Sequence, residues 1–261
     1  MDENTFLEKY DSSKYVTPDG YTSDMVIFTI VDKEIDGMGV PDKELKVMLI
    51  LRDDKDTEGN PNVEGLKWAI PGGFVREDET ALEAAARELL EETGVQGCQL
   101  AHFGVYDKPR RDPRGWVISN AHYAIVPEND LITMQANDDA RDVQLFSWEQ
   151  IDDLDLAFDH HEIIKDAFEC LKRDILQTTV AKNFLEDEFT ATELQKVLLT
   201  VTDRSSIKIK SVWMRNIQAT PFIEKAINDE GDVKVTKKYS RRPSTLYRFK
   251  DNGDVPVVSI Y

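Results

Sequence analysis

Residues 73–95 read GFVREDETALEAAARELLEETGV, and Pro71-Gly72-Gly73 leads into them as a turn signal. Thr80 with Glu83 three residues on has the spacing of a capping box. Gly94 suits the left-handed position that closes a helix. The spacing therefore predicts a helix over 81–93, started from a glycine loop. Leu82, Ala85, Ala86 and Leu89 fall at i, i+3, i+4 and i+7, which predicts one apolar stripe. Glu88, Glu91 and Glu92 share another arc at ~100° per residue. Carboxylates that close repel and raise one another's pKa unless a cation neutralises them. Hard divalent ions take oxygen ligands of this kind. A solvated acidic face with i,i+4 pairing accounts for the same residues without a cation. Spacing alone leaves both open.

The full pattern is Gly73, five residues, Glu79, seven residues, Arg87-Glu88-Leu89, one residue, Glu91-Glu92, one residue, Gly94-Val95. It resembles the Nudix box and matches at every specified position. The resemblance implies hydrolysis of a nucleoside diphosphate linked to another group. It implies Mg²⁺ or Mn²⁺ held by Glu88, Glu91, Glu92 and the backbone carbonyl of Gly72. Arg87 would orient the glutamates through charge-assisted hydrogen bonds. Glu79, at the start of the helix, would support the loop. Divalent metal would offset the negative charge of the diphosphate and lower the pKa of a bound water.

The chain has 261 residues, 41% of them hydrophobic, enough for a real core in one large or two ordinary domains. It holds no apolar run of roughly 18 residues, so no membrane span is expected. The first residues, MDENTFLEKYDSSKY, are acidic and lack a signal-peptide apolar run. Cys98 and Cys170 show no metal spacing, so reduced thiols and a cytoplasmic location are expected. The net charge of −18 is uneven. Residues 1–179 carry 18 Lys and Arg against 39 Asp and Glu, a balance of −21, whereas 180–261 carry 14 against 11, a balance of +3. That asymmetry marks a domain change and assigns any nucleic-acid contact to the C-terminal part.

Along the chain, 25–31 (MVIFTIV) and 45–51 (LKVMLIL) read as buried strands, followed by a polar loop over 53–65. Trp68 is expected to pack against the box helix. Strands are expected at 98–105 and 117–126. Between them, YDKPRRDPRGW gathers Arg110, Arg111 and Arg114 in an otherwise acidic stretch. Such a cluster suits phosphate or ribose, and equally a solvated turn. The run RDPRGWVIS is similar to a segment of proteins related to ADP-ribose pyrophosphatases, which favours substrate binding by Arg111 and Arg114. An acidic loop at 127–142 precedes a strand at 143–148. Nudix enzymes often draw a general base from such a loop, so Glu128, Asp138 and Asp139 are the candidates, each with solvated loop charge as its rival.

Residues 157–176 read as an amphipathic helix with Ile163, Ile164, Ala167, Phe168, Leu171 and Ile175 on its apolar face. His160 and His161 are adjacent, point to different faces, and read as packing or capping residues. AFDHHEI resembles Nudix-related transcriptional regulators of NAD metabolism, which carry a C-terminal winged helix. In FTATELQKVLLTV, Thr190 and Glu193 form a second capping box, and Leu194, Val197, Leu198 and Val201 form an apolar stripe. A turn at 203–205, a helix from about 207 or 208 to 218, and strands near 233–239 and 245–249 resemble a winged helix-turn-helix. Its DNA-binding candidates are Lys208, Lys210 and Arg215 on the second helix and Arg241 and Arg242 in the hairpin. Relatives carry clustered arginines there, whereas Trp213 and Met214 read as core.

The expected architecture is α/β: a Nudix α-β-α sandwich with a mixed sheet over 1–155, a linker helix over 156–180, and a winged-helix domain over 181–261. The resemblance points first to ADP-ribose, cleaved to AMP and ribose 5-phosphate. Its rival is an ADP-ribose-responsive DNA-binding regulator with weak or no hydrolysis. A third reading is assembly through the winged helix. A homodimer is expected from relatives.

Overall fold

The computed structural model describes residues 9–56, 58–95, 98, 100–131 and 140–250. Strands β1 (Gly20–Asp32), β2 (Lys43–Arg52), β3 (Trp68–Ala69), β4 (Gly72–Phe74), β5 (Leu100–Tyr106), β6 (Val117–Ile125) and β7 (Ala140–Ser147) form one mixed sheet. Its spine runs β3-β2-β1-β6-β5, with β4 on β1 and β7 on β2. Strands β1 and β6 pair in parallel, and the other strand neighbours of this sheet pair antiparallel among the described residues, with a parallel bridge from Trp68 to Leu156 besides.

Helix α1 (Ala81–Thr93) covers one face and α3 (His160–Gln177) the other, with the short helix α2 (Glu128–Leu131) between them in the chain. The alternation of β1 explains its unbroken apolar run. Met25 and Ile27 pack with Ala85 and Leu89 of α1, while Val26 and Phe28 pack with Ile163, Ala167 and Leu171 of α3. A strand covered on both faces carries no polar side. Of the expected apolar face of α3, Ile163, Ile164, Ala167, Leu171 and Ile175 are buried, and half-buried Phe168 stacks on Trp148 with ring centroids 4.0 Å apart.

Helix α1 has the expected bounds but is rolled differently. Leu82 and Ala86 are exposed; Ala84, Ala85 and Leu89 are buried. The roll brings Glu88 beneath Gly73. Trp68 packs on the opposite side of the sheet from α1, its ring edge-on to Phe146 at 4.7 Å. Strand β7 begins at Ala140, three residues earlier than expected.

The C-terminal part contains β8 (Phe189–Thr190), α4 (Ala191–Leu198), α5 (Ser205–Lys208), α6 (Lys210–Ala219), β9 (Ile223–Lys225), β10 (Val235–Thr236) and β11 (Ser244–Phe249). Thr190 caps α4 as expected, and Leu194, Val197, Leu198 and Val201 are buried. The expected single helix is two, because Ile209 takes an extended backbone (φ −79°, ψ 109°) ahead of α6. The first expected hairpin strand shrinks to Val235–Thr236, whereas β8 and β9, too short to carry a period, join β11 in a small antiparallel sheet. Trp213 is fully buried and donates Nε1–H to the Ala191 carbonyl at 2.6 Å. One apolar cluster continues from Phe28 through Ile164 to Leu194 and Trp213, so α3 packs into both parts.

Candidate functional site

Strand β4 lies antiparallel to the start of β1, pairing Gly72 with Asp24 and Gly73 with Ser23. Side chains at these glycines have no room. A Cβ on Gly72 would strike the Asp24 side chain and lie 2.7 Å from the Ser23 carbonyl oxygen; one on Gly73 would strike the Glu88 carboxylate. The double glycine is thus the clearance that lets the acidic helix approach the backbone.

Local chemistry fixes α1 at both ends. Thr80 N–H donates to Glu83 Oε2 at 2.8 Å, and Glu83 N–H returns to Thr80 Oγ1 at 3.3 Å. Gly94, at φ 73°, donates its N–H to the Leu90 carbonyl. From this helix Arg87 reaches three carboxylates. Its Nε and Nη2 grip Glu79 at 2.9 and 2.6 Å, and its Nη1 donates to Glu88 at 2.6 Å and to Glu91 at 3.0 Å. Nη2 also donates to the Phe74 carbonyl at 3.2 Å. Hydrogen bonds from Arg87 hold the Glu79 carboxyl down at about 2. Burial pushes Glu88 up against the opposing pull of Arg87. Glu92 occupies its expected helical position; its side chain is outside the described part.

These oxygen donors, half-buried and converging under a glycine strand, have the chemistry that a hard divalent cation takes. Glu88 is raised by desolvation and faces Glu91, which a cation would relieve. Among the described residues, which leave out the Glu92 side chain, no three His, Cys, Asp or Glu groups are gathered to hold a metal ion.

Glu88 and Glu91 line a cavity of about 510 Å³ together with Arg52, Arg76, Arg111 and Arg114. Arg111 is bonded through Nε and Nη2 to Asp159, at 2.8 and 2.6 Å. Arg114 makes the same forked contact with Asp112, Nη2 at 2.6 Å from Oδ2. Its guanidinium also lies over the rings of Phe74 and Phe158, 5.2 and 5.3 Å from their centroids. Both arginine candidates therefore share the cavity wall with the acidic helix. Arg110 is absent from that wall.

Buried Asp24 and His160 also line the cavity. Burial raises the Asp24 carboxyl, opposed by the Ser119 hydroxyl, which donates to Asp24 Oδ2. His160 Nδ1 accepts the Ile70 N–H at 3.1 Å, and burial, reinforced by nearby arginines, depresses its pKa to about 3. His161 instead meets Asp152 at the surface, 2.7 Å away. The two histidines thus point to different surroundings, His160 into the core and His161 to the surface, where it pairs with Asp152 and is not a cap.

Of the general-base candidates, Glu128 is exposed at the start of α2 and does not line the cavity; Asp138 and Asp139 lie outside the described residues. Lys208, Lys210, Arg215, Arg241 and Arg242 are all exposed in the C-terminal part. Sequence reasoning missed Asp24, Arg52, Phe74 and Phe158 on the cavity wall. Arg52 had a signal, since it is the charge that ends the apolar run over 47–51. Phe158 sits in AFDHHEI beside the two histidines that drew attention.

A mixed sheet between two helices, with a glutamate-bearing helix started from paired glycines, defines an α/β domain built around one acidic helix. The family model for the NUDIX domain matches residues 36–167, and the chain belongs to the Nudix family. It is 30% identical over 249 residues to the ADPR responsive transcriptional repressor NtrR of Acinetobacter baylyi, covering 95% of this chain and 88% of that one. It is 40% identical over 128 residues to the ADP-ribose pyrophosphatase of Methanocaldococcus jannaschii, covering 49% of this chain and 69% of that one. The solved MutT/nudix family protein of Enterococcus faecalis aligns with a TM-score of 0.70 at 27% identity, over 95% of this chain and 92% of that one.

Proposed function

We propose that this chain is a metal-dependent hydrolase that cleaves the diphosphate of a nucleoside diphosphate joined to another group, with ADP-ribose, cut to AMP and ribose 5-phosphate, as its substrate. The observation that carries this reading is one cavity lined both by Glu88 and Glu91, gripped by Arg87, and by Arg52, Arg111 and Arg114. A cavity lined by both carboxylates and guanidiniums suits a cation-bound anion. The similarity to an ADP-ribose pyrophosphatase supports the choice of substrate.

Glu88, Glu91, Glu92 and the Gly72 carbonyl would hold Mg²⁺ or Mn²⁺, which when bound supplies charge neutralisation and an acidified water. Arg87 keeps two of those carboxylates oriented and Glu79 keeps Arg87 in place. Arg111 and Arg114 supply positive charge for the diphosphate, held at fixed angles by Asp159 and Asp112. Glu128, Asp138 and Asp139 remain the general-base candidates; the true base is the one whose amide variant lowers kcat at constant KM. Release of AMP from ADP-ribose by the full chain, dependent on Mg²⁺, tests the proposal. Absence of AMP at saturating Mg²⁺ contradicts it.

The second reading is an ADP-ribose-responsive DNA-binding regulator. It is favoured by the similarity to a transcriptional repressor over nearly the whole chain. On this reading residues 181–261 form a winged helix joined through 156–180 to a Nudix domain over 1–155. Lys208, Lys210 and Arg215 on α5 and α6 would face DNA, with Arg241 and Arg242 in the wing between β10 and β11. Salt-sensitive binding of duplex DNA, weakened by ADP-ribose, tests it. A homodimer in the cytoplasm belongs to both readings, and sedimentation mass tests the dimer.

A further inference from the structure

Phe158 is the one aromatic residue among the four described non-glycine positions with positive φ, at 52°. Bulky side chains rarely adopt this backbone, and they keep it only where the surroundings over-determine it. Here both neighbours are pinned. Ala157 N–H donates to the Trp68 carbonyl at 2.8 Å, and the Asp159 carboxylate holds Arg111. Between those anchors the Phe158 ring joins the cavity wall. The guanidinium of Arg52 lies over it at 5.2 Å from the centroid and that of Arg114 at 5.3 Å. Arg114 lies over Phe74 as well, at 5.2 Å.

An aromatic face attracts a guanidinium and lets it lie flat, so the ring sets the plane in which its N–H groups donate. Two of the five arginines that line the cavity, Arg52 and Arg114, therefore share this one ring as backing, while polar partners hold their edges: the Val63 carbonyl and Asn62 for Arg52, and Asp112 for Arg114. A leucine of similar bulk would fill the space without offering that face.

We propose that Phe158 is a positioning residue of the ligand-binding wall, backing Arg52 and Arg114 so that their positive charge stands toward the diphosphate of the bound nucleotide. This rests on the reading of the cavity as a nucleoside-diphosphate site. Phe158 acts through the two arginines, so its loss weakens binding and leaves the chemistry at the glutamate helix unchanged.

The test compares the full-length chain with Phe158→Leu and Phe158→Tyr, and with Phe158→Met in place of the leucine variant if that one does not fold. Two quantities are read with ADP-ribose and Mg²⁺: KM and kcat for AMP release, and the rise in thermal midpoint that ADP-ribose produces. The aliphatic variant is expected to raise KM about tenfold, the product of two weakened cation–π contacts, with kcat unchanged. Its ligand-induced thermal shift falls in step, while Phe158→Tyr retains wild-type values for both. An aliphatic variant with wild-type KM and thermal shift overturns the inference alone. So does a loss in kcat at constant KM, or an equal loss in the tyrosine variant. A wild-type chain that neither cleaves ADP-ribose nor is stabilised by it overturns the nucleotide site itself, and this inference with it.

Discussion

Arg111 gives both ends of its fork to Asp159, at 2.8 and 2.6 Å, with 4% of its own side chain exposed. The pair joins the loop between β5 and β6 to the residue just before α3, so one wall of the cavity is tied to the helix behind it. Removing one partner of such a pair strands the other charge. Asp159→Ala is expected to lower the unfolding free energy by about 3 kcal/mol in urea titrations, and Arg111→Met added to it should recover part of that loss. A cost below about 0.5 kcal/mol for Asp159→Ala would place the pair among weak surface contacts.

Arg87 binds three carboxylates, and lysine cannot reproduce that fork. Arg87→Lys is expected to keep the far-ultraviolet spectrum of the wild type and to lower kcat for AMP release by about 10–100-fold, the usual range for groups that orient metal ligands. An unchanged kcat would show that the glutamates do not need Arg87 to orient them.

His160 is held neutral by burial, with its folded pKa depressed to about 3. The unfolded chain takes up that proton below about 6.5 while the folded one does not. This group's contribution is therefore fully present above pH 6.5 and is lost as pH falls toward 3. His160→Gln, which can still accept the Ile70 N–H, should show a shallower loss of thermal midpoint than the wild type between about pH 6.5 and 4. Parallel curves for the two proteins would contradict the assignment.

Much of the site was readable because its signals are local. The Thr80 and Glu83 cap, the Gly94 stop and the arc of Glu88 and Glu91 each depend on a few neighbouring residues. The roll of α1 was not readable, because Leu82 and Ala86 fit an apolar stripe as well as Ala84 does. Only the tertiary approach of Glu88 to Gly73 decides between them. Arg52, Asp24 and Phe158 meet through sheet pairing and the return of the chain at α3, which no spacing encodes. The break at Ile209 and the short β8 and β9 escaped for a related reason: two or three residues carry no period.

Exposed Lys208 and Lys210 are the candidates for phosphate contact. If the C-terminal part binds duplex DNA, changing both to Ala should weaken binding across sequences and flatten the slope of log affinity against log salt by about 2. An unchanged slope in a gel-shift salt series would remove these two lysines from the interface.

The most direct measurement is Mg²⁺-dependent release of AMP from ADP-ribose by the wild type and by the Glu91→Gln, Glu92→Gln double variant, with circular dichroism confirming that both are folded. The expected result is turnover by the wild type that Mg²⁺ switches on, and none above background by the folded variant. Equal turnover by the two would contradict a catalytic role for the acidic helix.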